Sequence, residues 1–273
     1  MLENYLTIDV EDYFQVSAFN NIIRYEQWDI YESRIVNNTH NVLEILSRRN
    51  TKATFFVLGW IAEKYPNLIK DIFQNKHEIA CHGYAHRLVY DISPEEFIAD
   101  TKKAKDILEN IIGKSVIGYR APSYSITRQS MWALDILEGL GFEYDSSIFP
   151  IHHDRYGLPE ASRFKYKLSN HNLIEYPLST SMFFGMKVPV AGGGYFRLFP
   201  YNFTKLALNK INKRENQSFV FYIHPWELDP EQPKMNGISY LSKFRHYNNL
   251  GKAKERFFKL LQDFRFTPIT KQE

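Results

Sequence analysis

The sequence predicts an α/β fold in which a parallel sheet curls into a barrel. Short apolar runs typical of buried strands alternate along the chain with longer segments that have helical periodicity. Over a chain of this length, that alternation favours a parallel sheet whose strands are joined by crossover helices. The chain has 273 residues, which suits a single barrel of roughly 250 residues. No linker or internal repeat divides it, so we expect one domain over residues 1–273.

Each predicted element depends on a local pattern. Strands are predicted at the short apolar runs 5–10, 53–58, 78–81, 116–119, 142–145, 173–177 and 219–224. Helices are predicted where apolar residues recur every three or four positions, at 36–46, 61–73, 94–112, 130–140, 203–211 and 252–264. Ser93 and Glu96 predict a capping box at the start of the helix at 94–112, and Gly113 is placed to end it. Pro66 is expected to restart the helix at 61–73. The polar segment 151–172 has neither pattern and is expected to cross the surface.

The composition excludes several classes of protein. Lysine and arginine number 34 against 31 aspartates and glutamates, and a net charge of +3 argues against a nucleic-acid partner. The single cysteine, Cys81, cannot form an intramolecular disulfide, so no oxidising compartment is required. No apolar stretch reaches the ~18 residues of a membrane span, and no basic signal-peptide region is visible. We therefore expect a cytoplasmic protein, or one peripheral to the inner membrane, whose oligomeric state the sequence does not define.

Polar residues stand at the carboxyl ends of five predicted strands: Asp9, His82, Arg120, Asp145 and His224. The carboxyl ends of parallel strands meet at one rim, where α/β proteins assemble their active sites. Five such residues on five strands therefore predict one functional site at that rim.

A candidate metal site is encoded by two of these strand ends. The run HGYAH at 82–86 has imidazoles four positions apart, which on a helical turn face the same side and can share a metal ion. Asp9, Glu11 and Asp12 follow the first strand, where buried carboxylates need a partner. Two histidines and one carboxylate leave coordination positions open for water and substrate, which is typical of a catalytic site.

Two further residues complete a hydrolytic set. Arg120 can pair with a catalytic carboxylate and hold its orientation. His224 lies between an apolar strand and a proline, a suitable place for an acid catalyst. Together the residues indicate attack of activated water on a carbonyl, with a protonated histidine serving the leaving group.

These motifs resemble the polysaccharide deacetylase superfamily, the carbohydrate esterases built on the NodB homology domain. Five motifs match in order: TIDVED at 7–12, HGYAH at 82–86, RAPSY at 120–124, YDSS at 144–147 and FYIH at 221–224. The resemblance implies a distorted (β/α) barrel and hydrolysis of N-acetyl groups on sugars.

One branch of that superfamily is especially similar, the deacetylases associated with exopolysaccharide gene clusters and exosortases. The similarity covers DVEDYF at 9–14, GGGYFR at 192–197 and HPWELDP at 224–230. It implies a C-terminal extension, here 228–273, that packs on the catalytic domain. The glycines at 192–194 suit either a close approach to a sugar or a flexible loop. Arg197 suits either an acidic sugar substituent or an ion pair.

The resemblance implies a catalytic role for four residues. Asp9 would be the general base and Arg120 would orient it. His224 would be the general acid, tuned by Asp145. Three residues would bind the substrate and shape its groove: Pro122, Tyr124 and Trp226.

The metal ligands implied by the resemblance are His82, His86 and one carboxylate. The superfamily usually has two adjacent aspartates in its first motif, but Val10 follows Asp9 here, so the carboxylate must be Asp12 or Glu11. The shorter side chain of Asp12 suits the family geometry better, and Glu11 is the alternative. Zn²⁺ is the expected ion, and Co²⁺, Ni²⁺ and Fe²⁺ also suit such a site.

Three functions remain open at this stage. The first is a metal-dependent hydrolase that releases acetate from N-acetylated sugars of a bacterial polysaccharide or its precursor. The second is a hydrolase of another C–N bond, such as a small cyclic amide, because the first motif is altered. The third is a non-catalytic carbohydrate-binding module, which retention of the candidate ligands disfavours.

Overall fold

The structure is a computed structural model that describes residues 2–153 and 155–270. The described strands are β1 (Glu3–Val10), β2 (Thr54–Val57), β3 (Glu78–Cys81), β4 (Gly118–Tyr119), β5 (Tyr144–Asp145), β6 (Tyr166–Lys167), β7 (Ile174–Glu175), β8 (Thr180–Phe183), β9 (Met186–Pro189), β10 (Val220–Ile223) and β11 (Arg265–Thr267). The described helices are α1 (Ile35–Arg48), α2 (Gly59–Lys64), α3 (Pro66–Gln74), α4 (Pro94–Ile112), α5 (Ala133–Gly139), α6 (Gly193–Leu198), α7 (Tyr201–Arg214), α8 (Tyr240–Tyr247) and α9 (Leu250–Asp263).

A mostly parallel sheet forms the centre of the molecule. Its strands follow the order β10-β1-β2-β3-β4-β5-β7-β6, and β11 also pairs with β1. Every pair in it is parallel except β6 with β7. The predicted α/β class is therefore confirmed, and the carboxyl ends of the parallel strands share one edge.

The sheet curls without pairing its two end strands, β10 and β6, within the described residues. The segment before α6 covers the open side of β10. The amide of Val220 donates to Ser179 Oγ at 2.8 Å, and that of Tyr222 donates to the Ala191 carbonyl at 2.7 Å. A Cβ on Gly192, which has φ +129°, would lie 1.9 Å from the Tyr222 carbonyl oxygen. Only glycine fits there, so this glycine serves backbone packing against β10.

Local signals in the sequence explain the helix ends. Ser93 Oγ accepts from the Glu96 amide at 3.2 Å, and Glu96 Oε2 accepts from the Ser93 amide at 2.9 Å. This is the predicted capping box of α4, and Gly113 ends the helix with φ +68°. Pro66 separates α2 from α3, as expected for a proline at a first helical turn.

The C-terminal part contains elements that have no clear periodicity in sequence. These are the β8–β9 hairpin and the short helices α6 and α8, the last lying within the predicted extension 228–273. The extension also contributes α9, which buries Phe257, Leu260 and Leu261, and β11, which pairs with β1. Within residues 2–153 and 155–270, no helix is both long and apolar enough to cross a membrane.

Candidate metal centre and active-site cleft

Three buried side chains meet at the carboxyl edge of the sheet. Glu11 follows β1, His82 follows β3, and His86 lies four residues further on in a turn with φ +52°. Each offers one ligand atom, and these atoms all lie within 4.8 Å of one another. A carboxylate oxygen and two imidazole nitrogens so close together suit a divalent transition metal.

His82 is prepared for metal binding by its backbone contact. Its Nδ1 lies 2.7 Å from the Arg120 carbonyl oxygen, which can only accept a hydrogen bond. The proton is therefore on Nδ1, and Nε2 keeps its lone pair. Burial lowers the pKa of His82 to about 4, so the ring is neutral at pH 7, as a metal ligand must be.

Glu11 and His86 are in close polar contact at the same place. His86 Nε2 lies 2.8 Å from Glu11 Oε2. Although burial opposes ionisation, His86 and His224 hold the pKa of Glu11 well below its usual range, so it is a carboxylate at neutral pH. His86 Nδ1 is buried and has no hydrogen-bond partner among the described residues, and Glu11 Oε2 has only the His86 ring beside it. Buried polar atoms left without hydrogen bonds fit a metal ion as their missing partner.

Asp12 lies outside this group, which corrects the preference for it over Glu11. Its Oδ2 accepts from Ser33 Oγ at 2.7 Å and from the amides of Arg34 and Ile35 at 2.9 and 3.2 Å. Its Oδ1 accepts from the Tyr13 amide at 3.0 Å. Oδ2 thus holds the start of α1, where a carboxylate satisfies unpaired amides and favours the helix dipole, and Oδ1 is taken by the neighbouring Tyr13 amide. The structure makes Glu11 the candidate ligand.

Asp9 lies beside the metal group and is held by a buried arginine. Arg120 Nη1 donates to Asp9 Oδ1 at 2.6 Å and to Thr7 Oγ1 at 2.8 Å. Its other nitrogens donate to the Ser146 carbonyl and hydroxyl at 3.0 and 2.7 Å. Arg120 is fully buried, and four hydrogen bonds fix its guanidinium. Asp9 therefore presents its second oxygen, Oδ2, in a fixed direction, 3.5 Å from the Tyr124 hydroxyl.

His224 faces the metal group from β10. Its Nε2 lies 3.1 Å from Glu11 Oε1 and 3.9 Å from Asp9 Oδ2. Its Nδ1 lies 3.1 Å from Glu227 Oε1. Burial disfavours the charged ring, but Glu11 and Glu227 outweigh burial and raise the pKa of His224 to about 9. A protonated imidazole at this position can donate a proton into the site.

Asp145 is not the carboxylate beside His224. Its Oδ1 accepts from Ser147 Oγ at 2.6 Å, and its Oδ2 accepts from the Ser147 amide at 3.2 Å. Ser147 Oγ in turn accepts from the Ala121 amide at 2.8 Å. Asp145 therefore supports the turn after Arg120 through Ser147, and the expectation that it tunes His224 is corrected. The carboxylate that contacts Nδ1 of the His224 ring is that of Glu227.

A cleft of about 640 Å³ opens above these residues. Tyr124 and Trp226, two of the predicted substrate-binding residues, line it. Pro122 does not line it, but is buried behind the site, where a Cβ on Gly83 would lie 3.7 Å from Pro122 Cγ. The other lining includes aromatic and polar side chains of later segments: His153, Arg155, Tyr156, Tyr195, Tyr222, Ser242, Phe244, Arg245 and His246.

Sequence reasoning missed Glu227 and most of the outer cleft. Glu227 lies three residues after His224 on the 3₁₀ turn Pro225–Leu228, and residues three apart on such a turn lie above one another. The spacing H-x-x-E was therefore a usable signal.

Arg197 is buried and its guanidinium donates to three backbone carbonyls, so it is not free to meet a substrate.

Two family models match adjacent parts of the chain. Residues 27–144 match the family described as polysaccharide deacetylase, and residues 146–272 match a domain of unknown function, DUF3473. A peptidoglycan-N-acetylglucosamine deacetylase of Bacillus cereus is 34% identical over 98 residues, 36% of this chain and 36% of that protein. A chitooligosaccharide deacetylase of Azorhizobium caulinodans is 33% identical over 85 residues, 31% of this chain and 40% of that protein. The matched region thus spans roughly a third of the length of such curated relatives.

Solved structures show the same fold over nearly the whole chain. A Mycobacterium smegmatis protein solved as a candidate polysaccharide deacetylase superposes with a TM-score of 0.62 and 18% identity, covering 97% of this chain and 86% of that one. A family 4 carbohydrate esterase from Streptomyces lividans, in complex with acetate, gives a TM-score of 0.52 and 11% identity, covering 98% and 93%. At these identities the likeness concerns the fold.

Proposed function

We propose that this chain, whose residues 27–144 match the polysaccharide deacetylase family, is a metal-dependent hydrolase that removes N-acetyl groups from sugars of a bacterial polysaccharide or its precursor. The observation that carries the proposal is the meeting of Glu11, His82 and His86 with Asp9 and His224 at the floor of one cleft. The reaction adds water to the acetamide carbonyl, breaks the C–N bond, and yields acetate and an amine.

The candidate ligands are Glu11, His82 and His86, and Zn²⁺ is the ion that best suits them, with Co²⁺, Ni²⁺ and Fe²⁺ as alternatives. When bound, such an ion polarises a carbonyl and acidifies water. His82 is kept in the ligating tautomer by the Arg120 carbonyl. The same arginine therefore supports the metal group through its backbone and Asp9 through its side chain.

The remaining residues move the protons. Asp9, fixed by Arg120, is placed to take a proton from the attacking water. His224 is placed to give a proton to the departing nitrogen, because its Nε2 faces the site while Nδ1 is held by Glu227. The base is on β1 and the acid follows the neighbouring strand β10, so the sheet holds both beside the candidate ligands.

The shape of the cleft favours a glycan over a small cyclic amide. A cyclic amide calls for a closed pocket, whereas this cleft is about 640 Å³ and extends to exposed residues such as Phe244 and Arg155. Its aromatic lining offers flat faces of the kind on which sugar rings pack. The binding-module alternative requires loss of the catalytic set, and Asp9, His82, His86 and His224 are present.

The test is acetate release from N-acetylglucosamine oligomers and peptidoglycan fragments. The protein is treated with a chelator and assayed before and after Zn²⁺ or Co²⁺ is restored. We expect activity only with metal, loss of it in His82→Ala, and retention in the matched surface variant His40→Ala. No acetate from any substrate with about one metal bound per chain would contradict the deacetylase function.

A further inference from the structure

The C-terminal helix α8 forms one side of the cleft. Ser242, Phe244, Arg245 and His246 of this helix, and Asn248 after it, line the cleft. None of them falls within residues 27–144, the part that matches the polysaccharide deacetylase family. The floor residues Asp9, Glu11 and His224 also lie outside that part, but none of them is on α8, so this helix adds a side to the cleft beside the floor.

This side of the cleft is fixed to the body by buried polar contacts. Arg197 donates to the carbonyls of Arg245, His246 and Asn248 at 3.1, 2.7 and 2.9 Å. The ring of His246 stacks on Trp226 with centroids 4.2 Å apart, and its Nε2 lies 2.7 Å from Gln232 Oε1. These contacts hold the end of α8 in place, so its cleft-facing residues form a built surface rather than a loose segment.

Phe244 and Arg245 leave their side chains open to the cleft. The Phe244 side chain is 50% exposed although it is aromatic. Arg245 is exposed and has no ion pair with any residue that the structure describes. Tyr156 and Arg155 line the same cleft. An exposed aromatic ring and a guanidinium that line the same cleft match a sugar ring that carries a carboxylate.

The charge of the floor differs from that of this outer region. Asp9 and Glu227 each lie within ion-pair distance of a basic side chain, Arg120 and His224, and Glu11 Oε2 lies 2.8 Å from His86 Nε2. Arg245 has no ion-pair partner among the described residues. An anionic group in the outer cleft therefore meets uncompensated positive charge without displacing an existing ion pair.

We propose that Phe244 and Arg245 form a subsite for an acidic sugar, a uronic acid, next to the N-acetyl sugar at the catalytic floor. This rests on the proposed deacetylase function, since that function places the N-acetyl sugar. The ring packs on Phe244 and the carboxylate pairs with Arg245. The chain is then selective for acidic heteropolysaccharides over neutral N-acetylglucosamine polymers.

The test compares two tetrasaccharides with zinc-loaded protein. One alternates N-acetylglucosamine with glucuronic acid, and the other is neutral chitotetraose. We expect Arg245→Gln to raise KM for the acidic substrate about 5- to 10-fold, with kcat and the KM for chitotetraose unchanged. Phe244→Ala should raise KM for both substrates, because stacking does not depend on charge.

Lys243→Gln is the matched control. Lys243 is an exposed cation on the same helix that does not line the cleft, so its loss should leave both KM values unchanged. An equal effect of Arg245→Gln on the two substrates, or no effect on either, would overturn the subsite.

Calorimetry on the metal-free full chain separates this proposal from the proposed function. Binding of the acidic tetrasaccharide that weakens in Arg245→Gln supports the subsite even where no acetate is released by the zinc-loaded protein. Acetate release that is indifferent to Arg245 keeps the deacetylase function and overturns the subsite.

Discussion

The floor and the outer part of the cleft are built on different principles. The floor groups stand at the ends of β1, β3 and β10, and Arg120 behind them is fully buried with four hydrogen bonds. The outer part comes from loops and short helices, where Phe244 is half exposed and Arg245 has no ion pair among the described residues. The floor is held for chemistry, and the outer part is free to meet substrate.

The two regions are joined at His224. Its ring stacks on Trp226 with centroids 5.2 Å apart, and Trp226 stacks on His246 of α8. The candidate acid catalyst, His224, thus contacts the floor through its Nε2 and contacts the outer part of the cleft through the stack with Trp226. Substitutions on the floor should abolish turnover, whereas those further out should have graded effects.

A large effect, on both metal content and turnover, is expected where Glu11 and Asp12 are compared. Glu11→Ala removes a candidate ligand and should lower kcat/KM by about 10³-fold, beyond the 10–100-fold typical of outer-shell partners. Asp12→Ala should keep the metal and lose about 1 kcal/mol of stability, because it removes the acceptor at the start of α1. Metal content per chain and urea unfolding measure the two outcomes. Metal lost in Asp12→Ala and kept in Glu11→Ala would reverse the assignment.

Asp9→Asn should lower kcat by about 10²- to 10⁴-fold while the protein keeps its metal. The amide has the shape of the carboxylate but is a poor base, and Arg120 retains an oxygen to which it can donate. Metal analysis and acetate release on the same sample measure this. Loss of metal together with retained turnover after reconstitution would show that Asp9 is a ligand and not the base.

Glu227→Gln should lower kcat by about 10- to 100-fold with metal retained, because it weakens the contact that orients His224. Glu227→Asp, which keeps the charge, should recover part of the loss. Glu231→Gln is the matched control, since Glu231 is exposed on the same segment and does not contact His224. A Glu227→Gln variant as active as the wild type would exclude a positioning role.

Much of the floor could be predicted because its residues follow strands. His82 and His86 come directly after the apolar run of β3, and Asp9 ends β1, so the sheet alone brings them to one edge. The choice between Glu11 and Asp12 could not be made this way. It depends on the start of α1 more than 20 residues later, where Ser33, Arg34 and Ile35 donate to Asp12 Oδ2.

The outer cleft could not be predicted for a different reason. The residues of α6 and α8 are held by contacts between distant segments, such as Arg197 with the carbonyls around His246, and not by a periodic apolar face. Asp145 was chosen by family resemblance, but a short strand and Ser147 take its carboxylate elsewhere. Glu227 could have been predicted, because it lies three residues after His224 on the turn that follows β10.

The smallest effect concerns pH and tests the stacked link between the regions. Burial, aided by Arg197, lowers the pKa of His246 to about 3, against about 6.5 in an unfolded chain. The unfolded state therefore binds more protons between these values, and stability falls as pH falls below 6.5. From pH 7 to pH 5 this costs up to about 2 kcal/mol. His246→Phe should remove that part of the pH dependence.

The measurement is urea unfolding of metal-free wild type and His246→Phe at pH 7 and pH 5. The variant also loses the contact with Gln232, but that loss is present at both pH values and cancels in the difference. Phenylalanine can still stack on Trp226, so the end of α8 should stay in place. An equal pH dependence in the two proteins would mean that His246 can be protonated within the fold. The stack between the floor and the outer cleft would then be looser than its 4.2 Å ring separation indicates.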